Sequence, residues 1–300
     1  MKRRFHTLDV FTDQSLAGNP LAVVLDSDGL NDESMQAIAT EFNLSETVFV
    51  RPPETEVGAA RIRIFTPVHE LPFAGHPTVG TAILLSQLNH LADGAELVLE
   101  ENVGPVKCVV SDQSGTRTVR FGLPKVSEKF DWESDNSKLA EAIGLDVSDI
   151  GFDDHSVSIW DGGVPYMLVP LATIDAVRNI SINSAMLKEI EPLINGIHAN
   201  VYAYCPGGEN SEASFHARMF APFQGIPEDP ATGSAVASLS GQLASCEFDG
   251  DRSKTFLIEQ GFEMGRPSQI YLDIQKQDGK VVDAGISGAA VRISEGVLDI

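Results

Sequence analysis

Three hundred residues, 43% of them hydrophobic and 21% charged, suffice for two hydrophobic cores in an ordinary globular protein. A formal charge of −22 argues against nucleic acid and anionic membrane as partners, since both need clustered Lys and Arg. Three widely spaced cysteines, Cys108, Cys205 and Cys246, are too few for a zinc site or a disulfide framework and fit a reducing compartment. The basic start MKRRFHTLDVF lacks the apolar core of a signal peptide, and no apolar run has the length of a membrane span, so the expected location is cytoplasmic.

In chain order, residues 4–10 alternate as a strand, and the turn DQSLAGNP leads into a second strand, LAVVL. NDESMQAIATEF predicts a helix: Asn31 is placed to cap it, and Met35, Ile38 and Phe42 keep helical spacing. The NLSE turn then delivers Glu46 to the mouth of the apolar strand TVFV. RIRIF reads as a half-buried strand, and the loop TPVHELPFAG leads to HPTVGTA, residues 76–82, which opens an apolar helical run. From 96 to 125 the pattern is strand-like, with turns at 103–105 and 112–115. Polar EKFDWESDNS reads as a linker, and SKLAEAIGL as a short helix closed by Gly144. The second half brings SVSIWDGGVPYMLV, a helix at NSAMLKEIEPLI, VYAYCPGG, FHARMFAP, and then DPATGSA, residues 229–235, opening another helix. Two strand-rich segments, QGFEMGRPSQIYLDI and SGAAVRISEGVLDI, complete the chain. The fold class is α+β, with two sheets that each hold a central helix.

The halves echo one another. RIFTP at Arg63 matches RMFAP at Arg218, GNPLAVVL at Gly18 matches GVPYMLVPL at Gly163, and TVFVRPP at Thr47 matches VYAYCPGG at Val201. LEENVGPVKCVV near Leu99 parallels IEQGFEMGRPSQIYL near Ile258, and HPTVGTA parallels DPATGSA, all at offsets of about 150 residues. The pattern predicts an internal duplication with two similar domains, 1–125 and 126–285. Aligned on their prolines and glycines, the last pair puts His76 and Asp229 at one position. Each motif feeds a helix whose first N–H groups and positive dipole end can receive an anion. Two such ends predict a binding cleft with two walls and a small anionic metabolite as ligand.

Glu46 stands where the chain leaves solvent for a core, and partial burial there would favour its neutral form. Such a carboxyl can take and return a proton. The matching place in the second half is close to Asn200. The plainer reading of Glu46 is a loop glutamate. His76 and Asp229 could hold a substrate hydroxyl, amine or carboxylate, or tune Glu46 by charge; the plainer reading is turn residues before proline. Gly75, Gly80, Gly233 and Ser234 read as backbone donors and close-approach positions, or as simple loop-to-helix packing. No nucleotide-binding G-x-G-x-x-G, Walker loop, H-E-x-x-H or G-x-S-x-G occurs, which leaves acid–base chemistry on a small anion without a cofactor or metal.

DVFTDQSLAGNPLAVV, FNLSETVFV, RIFTPVHELPFAGHPTVGTA, GIPEDPATGSA and QGFEMGRPS occur in an order that resembles the PhzF family of phenazine-biosynthesis-type isomerases. The resemblance covers nearly the whole chain. It implies a diaminopimelate epimerase-like fold of two pseudo-symmetric domains, each a β-barrel-like sheet wrapped around one helix, with residues 286–300 returning to the first. It implies Glu46 as proton shuttle, assisted by His76 and Asp229, with Gly233 and Ser234 seating the substrate carboxylate. It implies a homodimer as well. The related epimerases use a cysteine from each domain; here FAGHP and DPATG carry none, so a two-thiol mechanism is not available. The family's name-giving reaction moves a proton from C3 to C1 of trans-2,3-dihydro-3-hydroxyanthranilate. The rival readings are a metabolite-binding protein without catalysis on the same fold, and a hydrolase using Ser234 or Ser45 with His76.

Overall fold

The computed structural model describes residues 2–113, 115–194 and 196–300. The chain divides into two compact units: Met1–Gly122 with Ser287–Ile300, and Leu123–Ile286.

The first unit runs β1 (Lys2–Val10), β2 (Asn19–Val24), α1 (Asp32–Phe42), β3 (Glu46–Arg51), β4 (Ala60–Phe65), β5 (Glu70–Leu71), α2 (Gly75–Leu88), β6 (Glu96–Glu101), β7 (Gly104–Gln113) and β8 (Thr116–Gly122). A much later strand of the chain, Lys280–Asp299, completes it by pairing with both β1 and β8. The result is a closed eight-stranded barrel in which β1–β2, β3–β4, β6–β7 and β7–β8 pair antiparallel and β2–β3 and β4–β6 pair parallel. The two parallel pairs need crossovers, which α1 and α2 supply.

α1 starts where the Asn31 side chain accepts a hydrogen bond from Ser34 N, and ends at Asn43 in the left-handed region at φ 50°. Its Met35, Ile38 and Ala39 pack on Val24, Phe49 and Phe65. α2 differs in kind: it is apolar all round and buried from Gly75 to Leu84, in contact with β1, β2, β3, β6, β7 and β8. Gly80 is what lets it lie there, because a Cβ would stand 2.6 Å from Leu21 Cδ2 and 2.7 Å from Val10 Cγ2.

The second unit holds β9 (Glu128–Phe130), α3 (Asn136–Ile143), β10 (Ser158–Asp161), β11 (Pro165–Pro170), α4 (Ile174–Arg178), α5 (Ser184–Ile190), β12 (Leu193–Ile194), β13 (Ile197–His198), β14 (Asn200–Pro206), β15 (Phe215–Ala221), β16 (Ile226–Asp229), α6 (Gly233–Cys246), β17 (Ser253–Gln260) and β18 (Ser268–Gln277). The strand Lys280–Asp299 is β19, and the boundary between the units falls inside it. β10–β11, β14–β15 and β17–β18 pair antiparallel, β11–β14 and β15–β17 parallel. That is the order of β1–β2–β3–β4–β6–β7. α6, again buried on nearly all sides, packs on β9, β10, β11 and β18.

Strand register puts the correspondence on a residue basis. Leu21 faces Glu46 as Tyr166 faces Asn200, Phe49 faces Arg63 as Ala203 faces Arg218, and Arg61 faces Glu100 as His216 faces Glu259. Glu46 therefore answers to Asn200, Arg63 to Arg218 and Glu101 to Gln260.

Two sequence expectations change, and one helix was not foreseen. The stretch read as a linker contains β9, paired to β10. The helix expected over NSAMLKEIEPLI stops at Ile190, because Pro192 cannot continue it, and Leu193–Ile194 turns into a two-residue strand. α4, only five residues long, is too short to leave a periodic signal. Of the turn expected at 112–115, Ser114 lies outside the described residues. No helix among the described residues is long and apolar enough to cross a membrane.

Candidate active site

Glu46 is the first residue of β3, and His76 is the second of α2. Strand start and helix start meet: His76 Nε2 lies 3.2 Å from Glu46 Oε2, with the two side chains only 5% and 12% exposed. On the other edge of the ring, His76 Nδ1 lies 3.4 Å from Nδ2 of Asn19, the first residue of β2. An amide N–H can only donate, so Nδ1 accepts and the ring hydrogen sits on Nε2, facing the Glu46 carboxyl. Burial pushes the His76 pKa down to about 3, which keeps the ring neutral near neutral pH. His76 thus stands against Glu46 as a neutral ring at 3.2 Å, a close contact that falls short of an aligned hydrogen bond.

The turn that brings Asn19 to this point is strained. Phe11 and Leu16 both adopt left-handed φ, 62° and 66°, and Leu16 N is held by a 2.7 Å bond to Asp9 Oδ2. Gly18 follows at φ 64°, with Thr12 Cβ 3.1 Å from where its own Cβ would be, so no other residue fits.

In the second unit, Asp229 ends β16 with 6% exposure and Gly233 and Ser234 open α6. The Thr232 hydroxyl donates to Asp229 Oδ2 at 2.6 Å. Gln260 Nε2 donates to the Asp229 carbonyl at 2.7 Å and to Thr232 Oγ1 at 2.9 Å, while Gln260 Oε1 accepts from Thr232 N at 3.2 Å. Ser234 Oγ lies 2.8 Å from the Tyr166 hydroxyl. No side chain caps α2 or α6, and neither has an acidic residue in its first turn. Both helix starts therefore keep uncapped backbone N–H groups that could receive an anion.

The structure brings Glu46, His76 and Gly75 together in one unit and Asp229, Gly233 and Ser234 within six consecutive residues of the other. It does not give His76 and Asp229 equivalent places. Ile64 pairs with Leu71 where Met219 pairs with Asp229, so Asp229 answers to Leu71; counted from the helix starts Gly75 and Gly233, His76 answers to Ser234. The resemblance of HPTVGTA to DPATGSA is a coincidence of small residues: Gly80 lies inside α2, whereas Gly233 begins α6.

Sequence reading also passed over Asn19, Thr232, Gln260 and Glu101. Asn19 stood in a quoted motif as a turn residue, and its place beside His76 depends on a tertiary contact. Two of the three cysteines, Cys108 and Cys205, are fully buried, and burial pushes both thiols up, Cys205 to about 12. Among the described residues no cluster of three or more His, Cys, Asp or Glu is arranged to hold a metal ion.

The family model described as phenazine biosynthesis-like protein, PhzC-PhzF, matches residues 8–296. The chain belongs to the PhzF family. Among PhzF relatives it is 46% identical over 299 residues to an uncharacterized isomerase of Mesorhizobium japonicum, covering 99% of each chain. It is 34% identical to the trans-2,3-dihydro-3-hydroxyanthranilate isomerase of Pseudomonas aeruginosa, covering 98% of each. A solved PhzF-family structure from Bacillus anthracis superposes with a TM-score of 0.90 at 28% identity over the full length of both chains. A hydroxyproline epimerase of Agrobacterium vitis, 13% identical with a TM-score of 0.63, covering 99% of this chain and 92% of its own, shares the fold alone. The PhzF family to which the chain belongs is thus one of isomerases, on the mixed α/β barrel fold of the epimerases.

Proposed function

We propose that this chain is a cofactor-independent isomerase that moves one proton between two carbons of a small carboxylated substrate. The observation that carries the reading is the 3.2 Å contact between Glu46 and the buried His76. A carboxylate takes the proton from one carbon, becomes a carboxylic acid, and returns the same proton to a second carbon on the same face; nothing is left over. The buried His76 ring packs against Glu46 at this distance and, staying neutral, does not compete for the proton. Each unit by itself offers an uncapped helix start suited to a carboxylate, Gly75 in the first and Gly233 with Ser234 in the second, and Asp229, fixed by Thr232 and Gln260, suits an amino or hydroxyl group. The activity named for the Pseudomonas aeruginosa relative makes trans-2,3-dihydro-3-hydroxyanthranilate the first compound to try. There the proton passes from C3 to C1, and the enol so formed tautomerises to a ketone.

The test follows that compound with the purified protein in D₂O by proton NMR, beside Glu46→Gln. Rearrangement by the wild type, and a kcat lowered about 10²- to 10⁴-fold in a variant that melts normally, support the reading. Near-normal turnover by Glu46→Gln refutes it. A folded wild type that leaves the compound untouched moves the substrate elsewhere, and a panel of small amino and hydroxy acids watched for deuterium wash-in then takes over.

A further inference from the structure

The last residue of β6, Glu101, lies buried under the start of α2 at 5% exposure. Its Oε1 is 2.7 Å from the hydroxyl of Thr78, and that hydroxyl is also 2.8 Å from the backbone carbonyl of Ala74, the residue immediately before α2. A threonine hydroxyl has one hydrogen and two acceptors lie on it. If Glu101 were ionised, one of the two contacts would set oxygen against oxygen with no hydrogen between. If Glu101 carries its proton on Oε1, it donates to Thr78, Thr78 donates to Ala74, and both contacts are hydrogen bonds. Glu101 Oε2 is buried without a hydrogen-bond partner among the described residues, which a neutral carbonyl tolerates far better than an anion does.

The second unit places a permanently neutral side chain at the same register position, although the hydroxyl it meets is the one just before its helix rather than one in the first turn. Register makes Gln260 the counterpart of Glu101. Gln260 is permanently neutral, and it donates from Nε2 to the hydroxyl of Thr232, which directly precedes α6. A neutral glutamic acid is the nearest shape to that glutamine that ends in an O–H donor.

We propose that Glu101 is a neutral carboxylic acid that, through Thr78, fixes the first turn of α2 and so positions His76 against Glu46. It is a positioning residue, remote from the transferred proton, and its importance to turnover rests on the reading of Glu46 and His76 given above. Burial pushes its pKa up to about 8, against smaller opposing effects of the Thr78 hydrogen bond and of Arg61 on β4. The other titratable neighbour, Cys108 on β7, is held neutral by burial. The lock is therefore closed at neutral pH and opens as Glu101 ionises. The sign for stability follows: between the ordinary value of 4.5 and about 8 the folded chain keeps a proton that the unfolded chain has lost, so stability falls as pH rises through that window.

Glu101→Gln is the deciding variant, with Thr78→Val beside it. Infrared difference spectra of wild type against Glu101→Gln should show a protonated carboxyl C=O band near neutral pH that fades through about pH 8. Assigned ring resonances of His76, read without substrate, should coincide in wild type and Glu101→Gln at neutral pH, shift in Thr78→Val, and move with the same midpoint in the wild type only. Wild-type kcat should fall up to about tenfold from about pH 7 to about pH 9, while Glu101→Gln stays flat and melts higher at the alkaline end. A carboxylate band already present at neutral pH, or His76 resonances displaced in Glu101→Gln as far as in Thr78→Val, would overturn the proposal. Should the resonances behave as stated while Glu46→Gln still turns over, the catalytic reading fails and the lock stands.

Discussion

The two units are built on the same ties but differ at four corresponding positions. In the first, Glu100 accepts from Glu54 N at 2.6 Å and Thr55 N at 2.8 Å; in the second, Glu259 accepts from Glu209 N and Asn210 N, both at 2.8 Å. Arg63 forks onto Glu70 and lies over Phe65, as Arg218 forks onto Glu228 and lies over Phe220. Glu46, Leu71, His76 and Glu101, by contrast, stand against Asn200, Asp229, Ser234 and Gln260. Backbone-pinning carboxylates and arginine forks serve the sheet in either context. The four divergent positions place two carboxyls, a leucine and a neutral imidazole in one unit, and a hydroxyl, two amides and a carboxylate in the other.

Exchanging residues between the units tests how far that division holds. Glu46→Asn, copying Asn200, should lower kcat about 10³-fold, roughly 4 kcal/mol, with an unchanged melting temperature; activity assays and calorimetry read the two separately. Arg218→Ala should destabilise by about 4 kcal/mol and Arg63→Ala by about half as much in urea titrations. Both side chains are largely buried, but Arg218 also donates to the carbonyls of Val177, Arg178 and Ile180, whereas the further partner of Arg63 is the exposed Asp32. Gly80→Ser, copying Ser238, should cost about 2 kcal/mol through overpacking against Val10 and Leu21. Ser238 is tolerated because Gly162 stands where the first unit has Val10, and its hydroxyl bonds Gly162 N and the Val164 carbonyl. Changing Val10 to Gly in the same chain should recover part of the loss.

The smallest effect is a slope. Burial opposes charge on His216, but hydrogen bonds to Glu259 and Glu263 outweigh it and raise its pKa to about 9. Its folded value lies above the ordinary 6.5, so its contribution is complete below that pH and lost as pH rises through about 9. His216→Gln should flatten the fall of melting temperature across this window.

Much of this frame could be read from residue order. RIFTP and RMFAP marked a repeated strand whose arginines the structure turns into matching forks, and the Asn31 cap and the Gly144 stop are local signals that neighbours do not override. Glu46 was legible because it interrupts the passage from turn to core. The paired helix starts misled: Glu70 to Gly75 and Glu228 to Gly233 have equal spacing, but sequence matching seized on proline and glycine and slipped by five residues. Glu101 was illegible for another reason. A second glutamate beside Glu100 looks like a solvated pair, and only the closed barrel turns one outward to pin a loop and the other inward beneath α2.

β19 gives the barrel an unusual timetable. Its strands β1 and β8 both wait for residues beyond Ile286, which leave the ribosome only after the whole second unit has been made. During synthesis the earlier-made unit is therefore an open sheet with two unsatisfied edges, while Leu123–Ile286 can already be complete. A ribosome stalled or a chain clipped near Ile286 would release a species whose second unit is intact and whose first is prone to edge-to-edge association. Quality control of this protein would then hinge on its final strand rather than on the residues that do its chemistry.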